Sequence, residues 1–327
     1  MREEQAREVL PAAVFDYYRD GERDEFRVAW RDWRLVPGLF RDVSRVDTSV
    51  DLFGVTLATP VLAGPTALHT LAHPDGERAT ARGVEAAGSL LVLSARAGLP
   101  VEEVAPAKPW WFQAYVLRDR QVTEDQVRRA ASASAIVLTA DAPYVYPRPV
   151  PQAGDRSPAH REPGHRQDPA LGLDAIAWLA EISGKPVLVK GVLRPEDAAA
   201  CVAAGAAGVI VSNHGGRQVD RVVATAHVLG AVAEAVGGQV PVLVDGGIRD
   251  GADVLTALAL GARAVLVGRP VLWALATGGA DGVRDCLDFY RTDLERLMAQ
   301  TGLAATKDID RRVIDCPQTV TNRQAFG

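Results

Sequence analysis

The sequence predicts a (β/α)8 TIM barrel, on three observations. Eight short runs rich in Val, Ile and Leu succeed one another; amphipathic helical stretches separate most of them; and no early Gly-x-Gly-x-x-Gly marks a doubly wound dinucleotide-binding sheet, the structural alternative. The runs are continuously apolar rather than alternating, the pattern of strands covered on both faces.

Taken in order, residues 1–58 precede the first strand. Arg2–Arg19 reads as a helix that Pro11 interrupts, and Val50–Leu57 as a hairpin turning at a glycine. We read 1–58 as a cap on a barrel spanning 59–327, all in one domain. The strand runs are Pro60–Gly64, Leu90–Leu93, Trp111–Tyr115, Ile136–Ala140, Val187–Lys190, Gly208–Ser212, Pro241–Asp245 and Ala264–Gly268. Helices are expected at Gly76–Gly88, at Thr123–Ala133 with Thr123 as its cap, at Pro195–Gly205 with proline first and glycine past the end, and at Asp250–Gly261 with the same glycine stop. Residues 141–170 break the rhythm. They hold seven of the twenty prolines without core periodicity, as a lid after strand 4 or a disordered insertion would.

Composition narrows the function classes. With 327 residues, 48% hydrophobic and 24% charged, the chain can bury a large core. A net charge of −5 argues against nucleic acid and anionic membrane as partners. No apolar run approaches the ~20 residues of a bilayer span, and the acidic N-terminus lacks the apolar core of a secretory signal. Cys201, Cys286 and Cys316 lie far apart with no Cys-x-x-Cys, so neither a disulfide framework nor a thiolate metal site is expected, and the compartment expected is the cytoplasm.

In such a barrel the active site lies where strands end. Those ends carry Ser94, Gln113 with Tyr115, Thr139 with Asp141, Lys190, the run Ser212–Arg217, Asp245–Arg249 and Gly268-Arg269. The loops after strands 7 and 8 are the usual phosphate position: Gly246-Gly247 offers backbone N–H groups, and Arg249 and Arg269 offer forked donors. Lys190 ends an apolar strand and so needs an anion or an electron-rich ring. His214 is the candidate base, with Asp141 two strands earlier able to orient its ring and hold its protonated form. His69 and His73 have the i, i+4 spacing of a metal pair but no evident third ligand. His160 and His165 fall in the long loop and His227 in a helix, so no metal site is expected.

At Ser212–Asp220 (SNHGGRQVD) the chain resembles the FMN-dependent 2-hydroxy-acid oxidases and dehydrogenases, the glycolate oxidase, lactate oxidase and mandelate dehydrogenase group. The resemblance runs nearly end to end, through Phe15–Glu25, Pro65–Glu77, Trp111–Arg120, Leu138–Pro143, Val187–Val192 and Val242–Pro270. It implies FMN, with Ala67, Ser94, Gln113, Thr139, Lys190 and Ser212 around the flavin ring, Asp245 on the ribityl chain, and Gly247, Arg249, Gly268 and Arg269 on the phosphate. It implies His214 as base supported by Asp141, Arg148 and Arg217 on the substrate carboxylate, and Tyr17 and Tyr115 on substrate oxygens. The activity implied is oxidation of an (S)-2-hydroxy acid to the 2-oxo acid, with O2 as acceptor and H2O2 formed. A dehydrogenase using a quinone or carrier and a decarboxylating monooxygenase are the near alternatives; a flavin-free barrel isomerase or synthase on a phosphorylated substrate is the distant one. A homotetramer or larger assembly is also implied.

Departures from the family pattern bear on the substrate. Arg96 stands where many members carry a large apolar or aromatic side chain; it could bind a second acidic group, pair with a lid carboxylate or point to solvent. Arg148 keeps its seven-residue distance from Asp141 among unusual neighbours. Tyr144 and Tyr146 could line an aromatic-substrate site or pack the lid, which is shorter than usual and suggests a more open pocket.

Overall fold

A computed structural model describes residues 2–104, 109–144, 151 and 163–316. Eight parallel strands form the expected barrel: β1 (Val61–Ala63), β2 (Val92–Ser94), β3 (Trp111–Ala114), β4 (Ala135–Thr139), β5 (Val187–Val192), β6 (Gly208–Val211), β7 (Val242–Val244) and β8 (Ala264–Val267). Pairing runs β1-β8-β7-β6-β5-β4-β3-β2, and a bridge between Ala63 and Leu91 closes the circle.

The N-terminal segment forms helices α1 (Glu3–Val9), α2 (Ala12–Arg19) and α3 (Asp24–Val28). Pro11 separates the first two, as expected of a residue that cannot donate to the preceding turn. The connections carry α4 (Gly76–Ala86), α5 (Val101–Val104), α6 (Arg120–Arg129), α7 (Asp174–Ser183), α8 (Pro195–Ala203), α9 (Thr225–Val236), α10 (Gly251–Ala259) and α11 (Arg269–Thr301). One start differs from expectation. The cap of α6 is Asp119, whose carboxylate accepts from the Gln121 N–H at 3.0 Å, whereas Thr123 lies buried inside the helix and accepts from the Leu117 N–H at 3.0 Å. A carboxylate one turn earlier outcompetes the hydroxyl for the free N–H groups. The cap of α10 is Asp250, bonded to the Asp253 N–H at 3.0 Å.

Strand side chains alternate between two cores. Leu62, Val92, Trp111, Val137, Leu188, Ile210, Leu243 and Leu266 share the barrel interior, while Ala63, Leu93, Phe112, Leu138, Val189, Val211, Val244 and Val267 pack with the surrounding helices. The predicted hairpin, Val50–Leu52 paired with Val55–Leu57, joins the interior core and sets Phe53 edge-on to Trp111 at 5.6 Å. It seals the N-terminal end of the barrel, so the opposite end is left to be the mouth. There α1 and α2 bury Ala6, Leu10, Val14, Phe15 and Tyr18 against Leu68, Leu71, Leu272 and Trp273, with Phe15 stacked on Trp273 at 5.0 Å. Each large apolar side chain so covered stabilises the arrangement by about 1.5–3 kcal/mol. Arg34–Leu35 pairs antiparallel with Ile314–Asp315, tying the two ends of the chain together.

Of the proline-rich connection, residues 145–150 and 152–162 lie outside the described residues, and with them Arg148, Tyr146 and His160. Its returning arm lies along the loop after β3: Gln167 bridges to Leu117, and the Arg118 N–H donates to Arg166 O at 2.9 Å.

Candidate active site

The period-2 geometry of a strand explains why the polar residues meet. Two positions beyond the apolar interior residues, the same inward faces carry Gly64, Ser94, Gln113, Thr139, Lys190, Ser212, Asp245 and Gly268. Above the sealed core this polar layer floors a cavity of about 640 Å3. Of the residues expected at the site, Tyr17, Ala67, Ser94, Arg96, Gln113, Tyr115, Thr139, Lys190, His214, Arg217, Asp245, Gly247, Arg249, Gly268 and Arg269 line this cavity. Ser212 and Asp141 stand behind the lining: Ser212 accepts from Lys190 Nζ at 2.8 Å, and Asp141 holds His214.

The His214 ring is held by Asp141. Nδ1 lies 3.0 and 3.2 Å from the two Asp141 oxygens. A carboxylate only accepts, so the proton sits on Nδ1 and the other nitrogen, Nε2, carries the lone pair. Burial would raise the Asp141 pKa, but the neighbouring His214 and Lys190 outweigh it and hold Asp141 below the usual carboxylate range. His214, Gly215 and Gly216 all adopt left-handed φ values of 55°, 63° and 76°. For a histidine this costs on the order of 1–3 kcal/mol, strain of the kind stored at functional sites. The turn is held by Asn213 Oδ1, accepting from the Gly215 N–H at 3.0 Å, and by Ser212 Oγ, accepting from the His214 N–H at 3.1 Å.

Two glycines let the N-terminal segment reach these loops. A Cβ on Gly216 would stand 2.1 Å from the Gly21 carbonyl oxygen, and one on Gly247 2.0 Å from that of Phe26. Trp30 Nε1 donates to Gly246 O at 2.8 Å. The loops after β6 and β7 are therefore backed by residues 21–30.

Lys190 is 4% exposed, and its Nζ lies 3.3 Å from Asp245 Oδ2. Burial would lower its pKa, but Asp245, Asp141 and Tyr115 together raise it, so the ammonium is a fixed charge in the cavity floor. Tyr115 is pushed above the ordinary tyrosine range by burial, against the pull of Arg96 and Lys190, and remains a proton donor. The Arg96 guanidinium lies 5.0 Å over the Tyr115 ring and that of Arg217 5.1 Å over Tyr17. Arg217 Nη1 also donates to Tyr17 O at 2.8 Å. Arg96 thus lines the cavity rather than pointing away from the protein.

The end where phosphate was expected holds a residue that sequence reasoning passed over. Glu22, its side chain 7% exposed, bonds to Arg249 and to Arg27 (2.5 Å) and lies 3.9 Å from Arg269. Burial would raise its pKa, but Arg249, Arg269 and Arg27 hold it below the carboxylate range. The available signal was its position inside the family-like run Phe15–Glu25, five residues after Tyr17. Arg118, His165 and Arg166 also line the cavity and were not named for the site, although Arg118 falls inside the family-like run Trp111–Arg120. His69 is placed inside the fold, between Thr66 (2.6 Å) and Thr80 (2.8 Å). Among the described residues no group of three or more His, Cys, Asp or Glu could hold a metal ion.

Two buried polar atoms report on what the cavity accepts. Gln113 Nε2 and Asp245 Oδ1 have no hydrogen-bond partner among the described residues, and both residues line the cavity. An amide donor and a carboxylate acceptor left this way cost about 1–3 kcal/mol each unless a ligand satisfies them. A flavin's pyrimidine carbonyls and ribityl hydroxyls would do so, and Arg249 and Arg269 suit its phosphate. A family profile described as FMN-dependent dehydrogenase matches residues 6–316. The chain belongs to this family. Its cofactor is FMN, and it is an oxidoreductase. Among relatives, the human 2-hydroxyacid oxidase 1 is 38% identical over 95% of this chain and 94% of its own, and glycolate oxidase 1 of Zea mays 41% identical over 94% and 93%. A solved mandelate oxidase in complex with (S)-4-hydroxymandelic acid superposes with a TM-score of 0.90 at 37% identity, covering 96% of this chain and 98% of that one.

Proposed function

We propose that this family member oxidises an (S)-2-hydroxy acid to the 2-oxo acid and passes the electrons to O2, forming H2O2. The observation that carries this reading is the His214–Asp141 pair opening onto the same cavity as Arg217 and Lys190. The names of its relatives, which are oxidases of 2-hydroxy acids, support it.

FMN supplies the two-electron acceptor. The remaining chemistry is assigned to the chain. Arg217, with Arg148 from outside the described residues, binds the substrate carboxylate, and the hydroxyls of Tyr17 and Tyr115 orient its oxygens. His214 Nε2 takes the proton, and Asp141 stabilises the imidazolium formed at Nδ1. Lys190 would offer its fixed positive charge to the flavin ring, with Ser94, Gln113, Thr139, Ser212 and Ala67 around it. Asp245 would hold the ribityl chain, and Arg249 and Arg269, with the backbone at Gly247 and Gly268, would hold the phosphate.

Anaerobic mixing tests this assignment. A 2-hydroxy acid should bleach the yellow holoprotein, and O2 should reoxidise it with one H2O2 per turnover. Bound flavin that no 2-hydroxy acid reduces would refute the substrate class. Turnover only with artificial acceptors would refute O2 as acceptor. A reducing cytoplasm fits the three cysteines, none of which is paired in a disulfide. A homotetramer or larger assembly, which size-exclusion chromatography with light scattering would test, fits the family resemblance.

A further inference from the structure

Among its described lining residues the cavity is one-sided in charge. Six arginines and Lys190 line it, whereas Asp245, already paired with Lys190, is the one carboxylate among its described lining residues. Arg249 and Arg269 lie at the proposed phosphate end, and Arg217 is already assigned to the carboxylate every 2-hydroxy acid carries. Arg96, Arg118 and Arg166 remain on the substrate side. Such a surplus in a concave, partly dry site focuses a positive field on whatever enters.

Arg96 is the member of this surplus that lies on a tyrosine of the site. Its guanidinium rests on Tyr115 as that of Arg217 rests on Tyr17, so the two cations bracket the tyrosine pair. Its backbone is held at both ends: its N–H donates to Ser94 Oγ at 3.1 Å, and its carbonyl accepts from the Leu68 N–H at 3.2 Å. Ser94 Oγ is itself bonded to Gln113 Oε1 at 3.0 Å, in the cavity floor. A planar five-donor group stacked on an aromatic ring is preorganised for carboxylate. An apolar side chain placed against it would leave that charge partly desolvated without return.

Resting on the proposed function, we infer that the preferred substrate is a 2-hydroxy acid with a second anionic group, a carboxylate, with Arg217 holding the end next to the reacting carbon and Arg96 the far end. Arg118 and Arg166, exposed at the rim, draw such a dianion in. Arg96 is then a residue that sets specificity, and acids with neutral side chains are poor ligands.

The test compares ligands matched in chain length, so that the second carboxylate is the sole difference. As substrates these are 2-hydroxyglutarate against 2-hydroxyvalerate and malate against 2-hydroxybutyrate. As product-type ligands they are 2-oxoglutarate against 2-oxovalerate, followed by the flavin absorbance of the holoprotein. The diacid of at least one pair should show a kcat/KM at least tenfold higher, and 2-oxoglutarate a Kd at least tenfold lower. Arg96→Leu should bring both ratios close to one, while Arg96→Lys retains part of the preference. Parity or a monoacid preference in the parent protein overturns the inference, as does an undiminished diacid preference in a flavin-loaded Arg96→Leu. If 2-oxoglutarate binds preferentially but neither hydroxy acid reduces the flavin, the pairing of Arg96 with a second carboxylate stands and the oxidase reading falls. Reduction by 2-hydroxyvalerate without any diacid preference does the reverse.

Discussion

The carboxylate of Glu22 is bonded to the guanidinium of Arg249, 227 residues further along the chain. An acid from the turn between α2 and α3 therefore occupies the cation pair proposed to hold the cofactor phosphate. With a phosphate bound, the site holds two anions against the same guanidiniums. Two unit charges about 4 Å apart interact by about 4 kcal/mol at an effective dielectric of 20, and a third of that is tenfold in affinity. Glu22→Gln is therefore expected to bind FMN at least tenfold more tightly in a fluorescence titration, with riboflavin affinity unchanged. Equal gains for the two flavins would show that the effect does not pass through the phosphate.

The same residue sets a pH dependence for the flavin-free protein. Its pKa is lowered on folding, so its contribution to stability is complete above the unfolded value near 4.5 and is lost as pH falls through the folded one. Apoprotein carrying Glu22→Gln should melt below the parent at pH 7, and the gap should close towards pH 4. A gap that widens on acidification would contradict this.

His214→Ala should bind FMN as the parent does, yet lose flavin reduction by more than about 10³-fold, because it removes the proposed base. Asp141→Asn should lose about 10²–10⁴-fold in reduction rate, through loss of the carboxylate that holds the imidazolium. Stopped-flow bleaching at saturating substrate measures both.

Removing Lys190 should damage more than the chemistry. Lys190→Met leaves Asp245 without its cation and Ser212 without its donor, in the barrel floor. Breaking a buried ion pair from one side costs about 3–5 kcal/mol. Thermal unfolding and FMN retention should both fall. A variant that stays yellow and melts with the parent would mean that Asp245 is satisfied otherwise.

Gly216→Ala would place a methyl group 2.1 Å from the Gly21 carbonyl at a φ of 76°. Destabilisation of about 1–3 kcal/mol or more is expected from overpacking alone. Because the shift falls on the loop that carries His214, the flavin reduction rate should drop with it. The same substitution at Gly184, whose φ is 65° and whose Cβ direction is open, should lower stability modestly and leave that rate unchanged.

The barrel was legible because period and punctuation agree over long stretches. The eight runs became the eight strands with ends shifted by one or two residues, and Pro195 and Gly205 bounded α8 as read. The floor of the site followed from the fold: residues two positions past the interior Trp111, Val137 and Leu188 share their face towards the mouth, and these are Gln113, Thr139 and Lys190. The Asp141–His214 pair was legible by the same logic. What stayed hidden depends on distant approach. Nothing near Glu22 says that Arg249 will lie against it, and nothing near Arg118 or Arg166 says that the two loops run side by side. The start of α6 was misplaced because two capping residues compete within five positions and only packing decides between them.

The tie between Trp30 and Gly246 spans 216 residues. On a ribosome adding about 5–20 residues per second, the first thirty residues would wait roughly 10–45 s for the loops they support. During that interval Trp30 lacks Gly246, and Phe15 lacks Trp273, the ring on which it stacks. The cofactor pocket is then completed late in synthesis, once the eighth strand and Arg269 behind it have emerged.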